Sequence, residues 1–290
     1  MFARLPVPQS FTRYPGAMVC GLWNCTVPER RSNGMTIMSG GDRDPHGTQN
    51  RVIQNHRDFA ERRGYTYWWH HGSLVEEKGW QPYWSKIAQL RESMRRRPQE
   101  RAYIWIDDDI VLTNFGEDMF ETALERYSNA SVLVTKDAWP GVSSLNTGII
   151  IVRNDDRAAE ILDELLLLAM EPREDGVSLA HASQTFCLHE QEALASVMKR
   201  SRCGTGGIAV LPQRAAAPDQ FNLNTFLRWS HLDRDRGLDQ QFVHDDRGSQ
   251  WRHGDFAGHC TGLSYLRRGL CVRTLLSSVV DDVAEEDRTI

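Results

Sequence analysis

The chain has 290 residues, 40% hydrophobic and 25% charged, which is the balance of a soluble globular protein with a substantial core. Its formal net charge of -5 argues against general nucleic-acid binding, which needs a basic excess. The six cysteines form no C-x-x-C pair, so zinc-ribbon and thioredoxin-type sites are excluded, and no stretch approaches the roughly 20 apolar residues that span a bilayer.

Residues 1–33 are irregular and predict an arm with one short strand at 17–23. The arm lacks the apolar core of a signal peptide, so a soluble, cytoplasmic protein without a transmembrane segment is expected. The sequons at Asn24 and Asn129 matter only if the chain enters a secretory lumen. Disulfides such as Cys20–Cys25 or Cys260–Cys271 would likewise require an oxidising compartment. Met35–Met38 reads as a strand that runs into Ser39-Gly40-Gly41-Asp42, a turn and a candidate nucleotide-binding edge. Residues 46–63 form a polar helix whose inward face is Val52, Ile53, Phe59 and Ala60, ended by Gly64. An aromatic strand follows at 65–69. Its neighbours His70 and His71 are adjacent and so point to opposite faces, which weakens a metal reading.

Ile87, Leu90 and Met94 give residues 80–97 the apolar stripe of a second helix, stopped by Pro98. Ala102–Ile106 is an unbroken aromatic and β-branched run, suited to a strand buried on both faces. Asp107, Asp108 and Asp109 follow at its carboxyl end. Three adjacent carboxylates beside a hydrophobic strand repel one another and call for a positive partner. Asp107 and Asp109 can aim at one hard cation such as Mg²⁺ or Mn²⁺; an acidic turn between two strand pieces is the simpler alternative.

Strands are expected at 131–135 and 149–152, with Asn146 and Thr147 in the loop before the second. Asn154 or Asp155 caps a helix at 157–170. A helix at 182–200 carries Glu190 and Gln191, and a strand follows at 208–211. Residues 214–249 read as a surface loop, and residues 281–287 as a frayed acidic tail. Gly254–Gly262 places His259 among small residues. The pattern of strands alternating with helices predicts one α/β domain at 34–270, between an arm at 1–33 and a tail at 271–290.

Taken as ordered blocks, residues 35–265 resemble glycosyltransferase family 34, which includes fungal galactosyltransferases and plant xyloglucan xylosyltransferases. The blocks are Tyr83-Trp84-Ser85-Lys86; I-W-I-D-D-D after Pro98; L-N-T-G-I-I-I-V-R-N from Leu145; H-E-Q-E-A-L around Glu190; and G-D-F-A-G-H-C-T-G around His259. The resemblance implies a GT-A type, Rossmann-like α/β/α sandwich with a mixed, mostly parallel sheet. It implies Asp107, Asp109 and His259 as ligands of Mn²⁺ or Mg²⁺. Ser39, Lys86, Asp108, Asn146, Thr147, Gly148 and Gly262 would line the nucleotide-sugar pocket. Glu190 and Gln191 would stand beside the reacting anomeric carbon. Where plant members carry a lysine two residues beyond Gly262, this chain has Ser264, for which Arg267 or Arg268 could substitute.

The activity so implied is transfer of a hexose or pentose from a UDP- or GDP-linked donor to a glycan hydroxyl, with retention of configuration. Two alternatives compete with it: a non-catalytic sugar-nucleotide-binding subunit of a glycan polymerase, and a metal-dependent nucleotidyltransferase. The latter would more naturally carry a second acidic cluster after a strand, and none is found.

Overall fold

A computed structural model of the chain describes residues 19–20, 33–41, 48–71, 75, 80–136, 145–170, 190–200, 207–211, 225–226, 255–260 and 265–279. It opens with β1 (Val19–Cys20), β2 (Met35–Gly41), α1 (Gln49–Arg63) and β3 (Thr66–His71). A tight helical turn at Pro82–Trp84 leads into α2 (Ser85–Arg96), then β4 (Ala102–Ile106) and β5 (Ile110–Leu112) on either side of the three aspartates. Next come α3 (Met119–Arg126), β6 (Val132–Lys136), β7 (Leu145–Arg153) and α4 (Asp156–Met170). The described chain closes with α5 (Glu190–Arg200), β8 (Ile208–Leu211), β9 (Thr225–Phe226), β10 (Ala257–His259) and α6 (Tyr265–Leu276).

Seven strands form one sheet in the order β1-β3-β2-β4-β7-β6-β8, and among them β7 alone runs against the rest. The sheet is therefore mixed and mostly parallel, as expected. From β2 the chain passes to β3 on one side and returns to β4 on the other. Strand order thus reverses between β2 and β4, the kind of place where open α/β sheets bind ligands beyond their carboxyl ends.

All five residues of β4 are buried. Tyr103 and Trp105 pack on one face with Trp84, Ile87, Leu90 and Ile161, drawn from the turn at Pro82–Trp84, α2 and α4. Ile104 and Ile106 pack on the other with Phe59 of α1 and Phe120 of α3. Each such side chain contributes about 1.5–3 kcal/mol of burial, so the strand that ends in the aspartates is firmly seated. On the second face, Phe256 sits edge-on to Phe59 and Phe120 with ring centres 5.4 and 5.0 Å away.

A second sheet, β5-β10-β9, lies beyond the aspartates. In it β10 runs antiparallel to β5 and pairs His259 with Ile110. This pairing brings a residue from near the end of the chain to the edge of the acidic turn.

Several boundaries differ from the sequence reading. Strand β7 begins at Leu145, so Asn146, Thr147 and Gly148 belong to the sheet; its pairing with β6 slips between Val134 and Thr135. A shift of this kind bends a strand and re-aims side chains beside it. Helix α3 was not expected. Its signal was Asp118, whose side chain accepts the Glu121 backbone N–H at 3.1 Å in a D-x-x-E cap. Asp155, not Asn154, caps α4, accepting from Ala158 N at 2.7 Å. Within the expected loop at 214–249, Thr225–Phe226 pairs with β10. Helix α6 carries order past residue 270, where the domain was expected to end, because Cys271, Val272 and Leu275 are fully buried. Residues 182–189, 281–287 and most of the arm lie outside the described residues.

Candidate metal and sugar-nucleotide site

Asp107 leaves the end of β4, and its backbone N–H donates to the Gly148 carbonyl at 2.8 Å, continuing the ladder to β7. The chain turns at once, with Ile110 N donating back to the Asp107 carbonyl at 3.1 Å. This turn puts Asp107 and Asp109 on one side. His259 arrives from β10, and Cys260 N donates to the Asp109 carbonyl at 3.0 Å. One ligand atom from each of Asp107, Asp109 and His259 lies within 4.8 Å of the others. Nε2 of His259 is 3.2 Å from Oδ1 of Asp109.

Two carboxylates and an imidazole are a donor set that suits Mn²⁺ or Mg²⁺. Among the described residues this is the one group of three such side chains so placed. Burial pushes the Asp107 carboxyl above its ordinary range; Lys86 opposes the rise and Asp109 adds to it. A cation here would relieve that cost, so the residues fit a divalent ion.

Gly148 makes the convergence sterically possible. A Cβ there would stand 2.6 Å from Cε1 of His259 and 2.9 Å from Oδ1 of Asn146. The imidazole therefore lies directly on the β7 backbone. Asn146 is buried, and its Oδ1 accepts the Gly148 N–H at 2.8 Å, holding the amide beneath the ring.

A second charged group adjoins the first. Lys86, on the first turn of α2, places Nζ 2.9 Å from Asp107, 3.1 Å from Oε1 of Glu190 and 3.2 Å from the Thr147 carbonyl. Burial disfavours the ammonium, but Asp107 and Glu190 outweigh it and hold its pKa above the ordinary lysine value. Glu190 opens α5, where the helix N-terminus favours a carboxylate. Its Oε1 also accepts the Thr147 hydroxyl at 2.6 Å, while Oε2 is buried without a hydrogen-bond partner. Ser39, at the carboxyl end of β2, is likewise buried with an unpartnered hydroxyl. Unpartnered buried oxygens are costly and mark places where a polar ligand can enter.

The structure thus brings Lys86, Asp107, Asp109, Asn146, Thr147, Gly148, Glu190 and His259 to one place. Asp108 is buried against Gly41, where an added Cβ would meet its carboxylate. Gln191, next to Glu190, is half-exposed. Gly262 lies outside the described residues. Two contacts were missed by sequence reasoning. Trp105 Nε1 donates to Oδ1 of Asp107 at 2.6 Å, a contact that the two-residue strand period could have revealed. Arg268 of α6 places Nε 3.3 Å from Oδ2 of Asp109. His70 has its pKa lowered to about 4 by burial and is not among the clustered ligands.

Residues 34–138 match the model of the galactosyl transferase GMA12/MNN10 family, so over that segment the chain is family 34-like. Xyloglucan 6-xylosyltransferase 4 of Arabidopsis thaliana is 26% identical over 121 residues, covering 39% of this chain and 22% of that protein. Probable glycosyltransferase 4 of Oryza sativa subsp. indica is 26% identical over 130 residues, covering 42% and 26% respectively. The chain therefore spans about a quarter of the length of the curated relatives it matches. Among solved structures, a glycosyltransferase involved in glycosylation of the major capsid of PBCV-1 superposes with a TM-score of 0.57 at 16% identity. That likeness covers 83% of this chain and 98% of the other. The fold is of the GT-A glycosyltransferase type.

Proposed function

We propose that this chain, GT-A in fold and family 34-like over residues 34–138, is a metal-dependent glycosyltransferase. It would move a hexose or pentose from a nucleoside-diphosphate sugar to a hydroxyl of a glycan or glycoconjugate, with retention of configuration. The observation that carries this reading is the convergence of Asp107, Asp109 and His259 beside the buried Lys86–Glu190 pair, at the point where strand order reverses.

Asp107, Asp109 and His259 would hold Mn²⁺ or Mg²⁺. When bound, such an ion supplies Lewis-acid stabilisation of negative charge on the departing nucleoside diphosphate. The protein residues divide the remaining work. Ser39, and Asp108 against Gly41, offer polar groups for the nucleotide. Asn146, Thr147 and Gly148 shape the floor of the sugar pocket. Lys86 pairs with both Asp107 and Glu190 in a buried setting, and it is anchored to β7 through the Thr147 carbonyl. Glu190 then has one oxygen occupied by Lys86 and Thr147 and the other, Oε2, available to the sugar.

A carboxylate whose charge is drawn through Oε1 onto Lys86 and the Thr147 hydroxyl is a poorer nucleophile at Oε2. We therefore assign Glu190 to stabilising positive charge at the anomeric carbon during front-face attack, with Gln191 as polar support. The acceptor proton would leave on the diphosphate oxygen, which faces the same side of the sugar. Among the described residues no helix is long and apolar enough to cross a membrane. Cys260 and Cys271 form a disulfide, the second of the two pairings considered from sequence, and this supports an oxidising compartment over the cytoplasm first expected.

The test is release of nucleoside diphosphate from UDP- and GDP-linked sugars with Mn²⁺. Asp109→Asn, which removes a ligand charge at constant volume, should lose most activity and keep the fold; chelation should silence the wild type and Mn²⁺ restore it. Full activity in the variant, or indifference to chelator, would refute the proposal.

A further inference from the structure

Three side chains meet in the cluster, and the backbone secures two of them closely. His259 lies on β7 at Gly148, and the Asp109 carbonyl accepts the Cys260 N–H at 3.0 Å. Asp107 is the least enclosed: its side chain is 25% exposed, against 8% for Asp109 and 4% for His259. Its orientation has to come from its own partners. Lys86 does not decide it. The ammonium is 2.9 Å from Oδ1 and 3.1 Å from Oδ2, so it sits astride both oxygens. Trp105 does distinguish them, because its Nε1 donates to Oδ1 at 2.6 Å.

The indole is not free to follow the carboxylate elsewhere. Trp105 is buried with Met38, Trp68 and Trp84 on the α2 side of the sheet. Its far edge reaches across to β2, where a Cβ added at Gly40 would stand 3.2 Å from Cη2. Pairing of Trp105 with Met38 on one side and Ile150 on the other fixes the backbone beneath the ring. A buried indole N–H needs an acceptor, and an ionised carboxylate is the strongest kind. The donor is therefore set by packing, and the carboxylate turns to meet it.

We propose that Trp105 is the positioning residue for Asp107: it occupies Oδ1, commits Oδ2 to the divalent ion, and thereby selects which ion binds. The proposal rests on the reading of this cluster as a metal site. An oxygen that accepts from an indole and faces an ammonium has little left to offer a cation, so Asp107 supplies one oxygen rather than two. Mg²⁺ keeps a tight octahedral shell and Mn²⁺ accepts the same ligands. Ca²⁺ takes a larger set of oxygens, often both from one carboxylate. Withholding Oδ1 therefore disfavours Ca²⁺ more than Mn²⁺. Lys86 cannot substitute for the indole here, since an ammonium astride the carboxylate leaves either oxygen able to turn outward.

The experiment is calorimetric titration of Mn²⁺ and of Ca²⁺ into wild type and Trp105→Phe, which keeps an aromatic ring and removes the donor. Mn²⁺ affinity should fall about tenfold to a hundredfold in the variant, as when a ligand loses its orienting partner. Ca²⁺ affinity should hold or rise, so the preference for Mn²⁺ over Ca²⁺ should shrink by at least about tenfold. Parallel loss of both ions with a lowered Tm would mean that Trp105 only supports the fold, and would overturn the proposal. A second measurement needs no variant. In wild type, the Trp105 indole N–H resonance should keep the low-field position of a short bond to a carboxylate when Mg²⁺ is added to saturation. Its return to the ordinary indole position would show that the ion frees the indole from Oδ1, and would also overturn the proposal. If wild type binds neither Mn²⁺ nor Ca²⁺, the metal reading fails and the proposal falls with it. Mn²⁺ binding in wild type with an unchanged ion preference in Trp105→Phe removes the proposal alone.

Discussion

Gly148→Ala is the sharpest test of how the ligand set is assembled. The added Cβ would stand 2.6 Å from Cε1 and 3.0 Å from Nδ1 of His259, and 2.9 Å from Oδ1 of Asn146. Carbon atoms in contact settle at about 3.5–4.0 Å, so the ring must retreat by about 1 Å. The β7 backbone has little room to yield, because the Gly148 carbonyl accepts from Asp107 N at 2.8 Å and Ile149 pairs with Ile106. Metal bonds tolerate displacements of only about 0.2 Å. We expect Mn²⁺ affinity to fall about tenfold to a hundredfold, as when a ligand's orienting contacts are lost. Stability should drop by about 1–3 kcal/mol from overpacking. Calorimetric Mn²⁺ titration reads the first and urea unfolding the second. In a His259→Ala background only the contact with Asn146 Oδ1 remains, so part of the stability loss should vanish, a coupling that a double-mutant cycle measures. Unchanged Mn²⁺ affinity in Gly148→Ala, or a stability loss equal in both backgrounds, would refute the steric argument.

Three further outcomes are expected. Glu190→Gln should lower transfer without abolishing it and Gln191→Ala should weaken it; a glycosylated Glu190 in the intact mass of wild type incubated with donor alone would instead establish double displacement. Phe256→Ala should cost about 3–5 kcal/mol in urea unfolding, because the ring fills the space between Phe59 and Phe120; a loss below about 1 kcal/mol would show that β10 is not held by this packing. His56 is buried with Nε2 2.8 Å from the Ile110 carbonyl, and burial lowers its pKa from 6.5 to about 4. The unfolded chain therefore takes up the proton first. The resulting stability, about 3 kcal/mol, is complete above pH 6.5 and lost as pH falls through about 4. His56→Gln should flatten that acid limb, and an identical pH profile would contradict the assignment.

Much of this fold could be read from local pattern. The run Ala102–Ile106 is apolar without a break because both faces of β4 are covered, and such burial leaves a plain mark in sequence. Lys86 and Glu190 were each singled out from the blocks in which they stand. Their pairing was not, since 104 positions separate them and only the packing of α2 against β4 and of α5 against the neighbouring β7 unites them. His259 illustrates the same limit. A histidine among small residues has no visible partner until β10 pairs with β5, and nothing local encodes that pairing. Helix α6 is hidden for a different cause: it has two arginines before Gly269 and little periodicity, so its buried side is visible only against Val52 and Val111.

The central claim is that one divalent ion joins Asp107, Asp109 and His259. Pulsed electron paramagnetic resonance of bound Mn²⁺ tests it most directly, because a coordinated imidazole leaves a nitrogen coupling in the spectrum. We predict a single such coupling in the wild-type protein and its loss in His259→Ala. Bound Mn²⁺ without nitrogen coupling, or a coupling that persists in the variant, would contradict the account.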